Sequence, residues 1–91
     1  GGSFFSLSDF SATPNPTSGN VTISFSGKSN QPFSVVLTNE DGREIAREDR
    51  DELEEGLFTQ QFDLTKEPSG TYYCRVYKGD NVIASQKIEK K

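Results

Sequence analysis

Few residues in this chain are of a type that does chemistry, and they fall in two places. The first is an acidic run, Glu48, Asp49, Asp51, Glu52, Glu54 and Glu55. Carboxylates this close would suit an acid–base pair or a calcium site. Their spacing does not match the calcium loop of about 12 residues, and Arg47 and Arg50 dilute the charge. The run reads instead as a solvated connection, or a single helical turn around Leu53. The second is Cys74, set among aromatic and β-branched residues in Thr71-Tyr72-Tyr73-Cys74-Arg75-Val76-Tyr77. It reads as a buried, inert thiol. Histidine is absent, which excludes Ser-His-Asp and Cys-His catalysis and zinc ligation by Cys and His. There is no phosphate-cradling glycine loop. Asn20-Val21-Thr22 fits the glycosylation triplet but opens a strand and carries little weight. No enzymatic activity, cofactor or metal is expected.

The elements that position these residues are all strands. The densest stretch is Pro68 to Lys78, a Pro-Gly turn followed by a run of β-formers and closed by Gly79-Asp80. Tyr72, Cys74 and Val76 point to one face, Tyr73, Arg75 and Tyr77 to the other; large side chains on both faces mark a central strand. Phe4 to Phe10 is extended, with Phe5, Leu7 and Phe10 covering one side. Ala12 to Asn20, with Pro14 and Pro16, stops regular structure, because proline fixes φ and removes a backbone donor. Val21, Ile23 and Phe25 alternate inward. Gly27 to Pro32 reads as a polar loop. Phe33, Val35 and Leu37 face the core of the next strand. Asn39-Glu40-Asp41-Gly42 predicts a type I′ hairpin turn, and Arg43 to Ala46 returns with Ile45 as its core residue. Leu57 to Leu64 turns Phe58, Gln60, Phe62 and Leu64 inward, and Val82 to Ile88 is the last strand.

About seven strands at a spacing of roughly 8–12 residues, with no long helix, predict an all-β fold: a small, immunoglobulin-like antiparallel β-sandwich, mostly a meander. The 91 residues suffice for one small domain. Residues 4–91 are taken as a single sandwich and Gly1-Gly2-Ser3 as a scar or linker. Apolar residues make up only 31% of the chain while aromatics reach 11%, so a few large side chains must fill a thin core. The net charge of -4 argues against nucleic acid as a partner. No apolar run approaches the roughly 20 residues that span a bilayer, so direct membrane insertion is not expected. One cysteine cannot form an internal disulfide.

Tyr72-Tyr73-Cys74 resembles the tyrosine that precedes a cysteine by two on a late strand of immunoglobulin domains. The partner cysteine and the core tryptophan are missing, so that likeness supports the architecture alone. A broader resemblance covers nearly the whole chain. Pro14-Asn15-Pro16-Thr17-Ser18-Gly19-Asn20-Val21-Thr22-Ile23 resembles the "PNP" opening of the type A C-terminal sorting domain of the type IX (Por) secretion system of Bacteroidetes. Val36 to Ile45, with its turn at Gly42, is similar to that family's central hairpin. Phe62 to Tyr73, with Pro68, Gly70 and Tyr72, is similar to its "L…L-P-x-G-x-Y" block. Gln86-Lys87-Ile88-Glu89-Lys90-Lys91 resembles its basic terminal strand.

The resemblance implies a domain that addresses a larger exported cargo across the outer membrane to the cell surface or medium, passing through the periplasm. A sortase-like peptidase then removes it. The implied partners are the type IX translocon, that peptidase and an N-terminal cargo preceding Phe4, and any catalysis belongs to the cargo. The implied recognition residues are Pro14, Asn15, Pro16, Gly19, Gly42, Pro68, Gly70, Tyr72, Lys87, Ile88, Lys90 and Lys91. Pro14 and Pro16 stiffen an exposed segment, and Gly70 allows a turn that a side chain would obstruct. A tyrosine anchors its strand by packing and a hydroxyl bond. The lysines mark a last strand whose edge is open to a receptor strand. The alternative is an immunoglobulin-like binding or adhesion module of a cell-surface protein.

Overall fold

A computed structural model describes residues 2–91, with Glu55 described by its backbone; the assignment of Gly1 to a scar lies outside the described residues. Seven strands follow one another: β1 (Phe5–Thr13), β2 (Asn20–Ser29), β3 (Phe33–Asn39), β4 (Glu44–Arg50), β5 (Leu53–Asp63), β6 (Gly70–Lys78) and β7 (Asn81–Lys90). They form two antiparallel sheets, β1-β2-β5 and β4-β3-β6-β7. The all-β, immunoglobulin-like sandwich expected from the strand spacing is the fold. The meander is not. Only β1–β2, β3–β4 and β6–β7 are hairpins, while β2 to β3, β4 to β5 and β5 to β6 change sheets. Changing sheets is what lets both apolar faces be covered.

The alternating residues form the core. Val21, Ile23, Phe25, Phe33, Val35, Leu37, Phe58, Phe62, Leu64, Tyr72, Cys74, Val76 and Ile88 are all buried between the sheets. Phe25 stacks on Phe58 with ring centroids 4.7 Å apart, and Phe33 meets both edge-on at 6.0 and 5.8 Å. Three rings thus do much of the filling that the low apolar content leaves to a few side chains. The opposite face of β3 and β6 is half-covered too. Arg75 donates to Thr38 Oγ1 at 3.1 Å and lies 4.9 Å over the Tyr73 ring.

Several boundaries differ from expectation. The charged run Arg47–Glu55 is neither a solvated loop nor a helical turn: β4 continues to Arg50 and β5 starts at Leu53. Cross-strand partners outweigh local propensity there. Arg50 pairs in register with Phe33 and lies 4.9 Å over the Phe58 ring, and Ser34 donates its hydroxyl to Asp49. β2 likewise runs past Gly27 to Ser29, and β1 reaches Thr13. At Gly27 the strands approach so closely that a Cβ would lie 2.2 Å from the Ser6 carbonyl oxygen. Phe10 shares the core side with Phe5 and Leu7 despite its opposite parity. The β1–β2 register shifts between Ser8 and Ser11, where Asp9 has φ 56°, and this bulge restores the side-chain phase. The hairpin turn is not type I′. Gly42 N donates to Asn39 O at 3.1 Å and Gly42 alone of the turn has positive φ, 88°, the pattern of a type I turn followed by a glycine bulge. Asn39 Oδ1 accepts from the N–H groups of Asp41 and Arg43, both at 2.9 Å.

Candidate functional site: the clasped end of the sandwich

Four segments far apart in sequence meet at one end of the body: Thr13–Asn20, the hairpin Asn39–Arg43, the turn Asp63–Thr71 and the strand end Lys87–Lys91. Each holds part of one of the sequence blocks singled out above. Phe4, hydrogen-bonded to Asn30 Oδ1 at 2.9 Å, lies at the opposite end of a molecule measuring 45 × 23 × 16 Å.

The first segment clasps the last strand. Pro14 and Pro16 have no N–H to donate, and the side chain of Asn15 takes the place of a peptide group. Its Nδ2 donates to Lys87 O at 2.8 Å and its Oδ1 accepts from Glu89 N at 3.0 Å. The main chain then takes over. Thr17 N donates to Glu89 O, and Thr17 O accepts from Lys91 N, both at 2.9 Å, in a parallel bridge between Thr17 and Lys90. The edge of β7 from Lys87 to Lys91 is therefore occupied by this chain and is not open to a receptor strand. Thr17 is buried; its hydroxyl donates to Asn20 O at 2.6 Å and accepts from Gly19 N at 3.1 Å. A Cβ at Gly19 would stand 2.5 Å from Thr65 Cγ2, so a side chain there requires Thr65 to move. The Gly19 carbonyl accepts from Leu64 N at 2.9 Å.

The turn before β6 is locked from beneath. Tyr72, 3% exposed, donates its hydroxyl to Pro68 O at 2.6 Å. This is the corner by which a tyrosine fixes the chain a few residues upstream in immunoglobulin folds. Burial first, and the negative charge of Glu67 second, raise the phenol's pKa, so the hydroxyl remains a donor. Gly70 meets nothing within 4 Å of an added Cβ. The expected obstruction is absent, and glycine is required because φ is 146°. Lys90 Nζ donates to Glu67 O at 2.7 Å, tying the strand end to this turn. Lys87 faces Glu89 at 3.3 Å, and Glu89 accepts from Thr71 Oγ1 at 2.9 Å. A shallow notch of about 160 Å³ separates the Pro68–Tyr72 turn from Asn39–Asp41.

The residues expected to matter thus divide. Gly19, Tyr72 and Ile88 are buried and build the end from inside. Pro14, Asn15, Pro16, Gly42, Pro68, Lys87 and Lys91 are exposed on it, with Gly70 and Lys90 half-buried. Thr17, Asn39, Glu67 and Glu89 were not singled out, yet they make its hydrogen bonds. For Thr17 and Asn39 the signal was present, since hydroxyl and amide side chains before Gly favour local turns. For Glu67 and Glu89 it was not, because their main-chain groups contact distant segments and the Glu89 carboxylate meets Thr71 and Lys87 only once β6 and β7 pair.

The residues weighed for chemistry do not converge. Burial pushes the Cys74 thiol up to about 12, too high for a nucleophile. Glu48 pairs with Arg50 at 2.7 Å, while Glu44 and Asp49 flank Arg47 at 3.4 and 3.7 Å along one strand. Among the described residues no three Asp, Glu or Cys side chains gather as metal ligands.

Known structures share the fold. An immunoglobulin-like protein from Pseudomonas aeruginosa superposes with a TM-score of 0.67 at 10% identity, covering 97% of each chain. β-Glucosidase 3B from Thermotoga neapolitana gives 0.68 at 11% identity, and a Listeria innocua β-glucosidase 0.58 at 18%. These matches cover 96% and 98% of this chain but only 16% of each glucosidase. Identities this low speak to the fold alone. No curated protein matches the chain. The family described as the secretion system C-terminal sorting domain matches residues 11–91, a span that holds all four segments of the clasped end, and the chain belongs to that family of type IX sorting signals.

Proposed function

We propose that the clasped end is the surface by which the type IX translocon recognises this domain. A sorting domain implies an N-terminal cargo and export to the cell surface or extracellular space. On this reading residues 4–91 form one sorting module, the cargo joins ahead of Phe4, and the pair crosses the periplasm. A sortase-like peptidase then cuts between cargo and sandwich. The domain is substrate and address, not catalyst.

The observation that carries the reading is the convergence of the four motif blocks on one end, with Phe4 at the other. A cargo attached at Phe4 leaves the motif end unobstructed. Four short segments share that surface only after both sheets close.

The test is a fusion of residues 4–91 to a passenger carrying an inner-membrane export signal, expressed in a bacterium with a type IX system. The passenger is expected at the cell surface. Replacing Lys87 and Lys91 with Ala, both exposed, should leave the thermal midpoint nearly unchanged and strand the passenger in the periplasm. Full export of that variant rejects the clasped end as the recognised surface; periplasmic retention of the unmodified fusion rejects the sorting role altogether.

A further inference from the structure

The sandwich has four sheet edges, and three are blunted. β7 is clasped from Lys87 to Lys91 and its register with β6 breaks between Ala84 and Val82. β4 carries Glu44, Arg47, Glu48, Asp49 and Arg50 among its residues. β1 is bulged between Ser8 and Ser11. Charges, bulges and covering segments are the usual means of preventing strand addition. Between Leu57 and Phe62 β5 has none of them. Its register with β2 is unbroken from Asp63 to Gly56, and Leu57-Phe58-Thr59-Gln60-Gln61-Phe62 holds no charge and no proline.

Its open hydrogen-bonding groups can be assigned. Leu64 N donates to Gly19 O directly opposite, so even-numbered residues turn their N–H and C=O towards β2. Those of Leu57, Thr59 and Gln61 then face outward, where β5 has no neighbour in its sheet. The Gln60 side chain donates to Gln61 O at 3.0 Å, an exposed contact that an incoming strand can displace. Beside this edge the three-stranded sheet stops short of the four-stranded one. Ala46, Glu48 and Arg50 of β4 pair with the core-facing Leu37, Val35 and Phe33 and share their side. All three remain partly exposed, with Glu48 and Arg50 paired at 2.7 Å.

We propose that the outer edge of β5, Leu57–Phe62, accepts an extended segment of a partner polypeptide that alternates apolar and polar residues and carries Lys or Arg at its ends. Such a strand completes a four-on-four sandwich over β4. Its basic ends meet Glu52 and Glu54 at the start of β5 and Asp63 at its finish. The same acids disfavour a second copy as occupant. Antiparallel self-pairing about Thr59 brings Glu54 of one copy to the Asp63 end of the other, with like charges at both ends. This site is independent of the sorting role and is read by a different assay.

The probe is a synthetic peptide of about nine residues, alternating Val and Thr with Lys at both ends, titrated into the 15N-labelled full chain. Expected are slowed exchange of the Leu57, Thr59 and Gln61 amides and binding weakened about tenfold or more when the terminal Lys are changed to Glu. Thr59→Pro removes an outward N–H only and should weaken binding about tenfold or more. Gln61→Lys, which sets a charge on the edge, should do the same and serves if Thr59→Pro does not fold. Protection at the β1, β4 or β7 edge, β5 protection accompanied by dimerisation without peptide, equal binding of the Glu-ended peptide, or no binding at all overturns the proposal.

Discussion

Replacing Asn15 with Ala removes both side-chain bonds of the clasp, the donor to Lys87 O at 2.8 Å and the acceptor for Glu89 N at 3.0 Å. Neutral hydrogen bonds contribute about 0.5–1.5 kcal/mol each. Both are exposed, so the lower part of that range applies, and the pair is worth about 1–2 kcal/mol. The two main-chain bonds of Thr17 remain, so the loss falls on the end of β7 and not on the core. A local loss of that size speeds exchange at the Glu89 amide by about 5–30-fold. The Lys91 amide, still held by Thr17 O, is affected less, and the Cys74 amide in interior strand β6 hardly at all. Hydrogen–deuterium exchange followed by NMR reads all three in one sample. The thermal midpoint moves by less than the roughly 4–8 °C per kcal/mol of a global loss in a domain of this size. An unchanged Glu89 rate refutes the clasp; equal acceleration at Cys74 shows that Asn15 acts on global stability instead.

Tyr72→Phe deletes the 2.6 Å bond to Pro68 O and should lower stability by about 1 kcal/mol in urea unfolding; no change means the corner contributes nothing. Gly27→Ala should cost about 1–3 kcal/mol, because its Cβ would lie 2.2 Å from the Ser6 carbonyl; a neutral result by the same assay removes the claim of close approach. Phe58→Ala removes the ring stacked 4.7 Å from Phe25 and should cost about 3–5 kcal/mol, enough to leave the chain largely unfolded by circular dichroism. The Cys74 thiol, held up to about 12 by burial, keeps a proton that the unfolded chain loses near ~8.5. That stabilisation is complete below about pH 8.5 and disappears as pH rises towards the folded value. Cys74→Ala should therefore show a shallower alkaline loss of stability, and parallel curves would contradict the burial argument.

Val21, Ile23, Phe25, Phe33, Val35 and Leu37 could be placed in the core from alternation alone, Tyr72, Cys74 and Val76 only on one shared face of their strand, and all are buried. Phe10 shows where alternation ends: its phase depends on the bulge at Asp9, which no periodicity announces. The charged run failed for a related reason. Its composition favours solvent, but Arg50 over Phe58 and Ser34 beside Asp49 exist only when β3, β4 and β5 are in place. At the candidate site the motif residues were legible as Pro, Gly, Tyr and Lys at particular spacings. Their division into buried supports and exposed contacts was not.

By itself, then, the order of residues determined which side chains turn inward on the unbulged stretches of β2, β3 and β5, because side-chain direction reverses at every residue and needs no knowledge of distant partners. It also determined the family, through short motifs in a set order. Tertiary structure alone decided that the chain changes sheets after β2, β4 and β5, and that Asn15 and Thr17 close the edge of β7. It also decided that β5 is the edge left open. Those outcomes rest on hydrogen bonds between residues tens of positions apart, formed only once both sheets have packed.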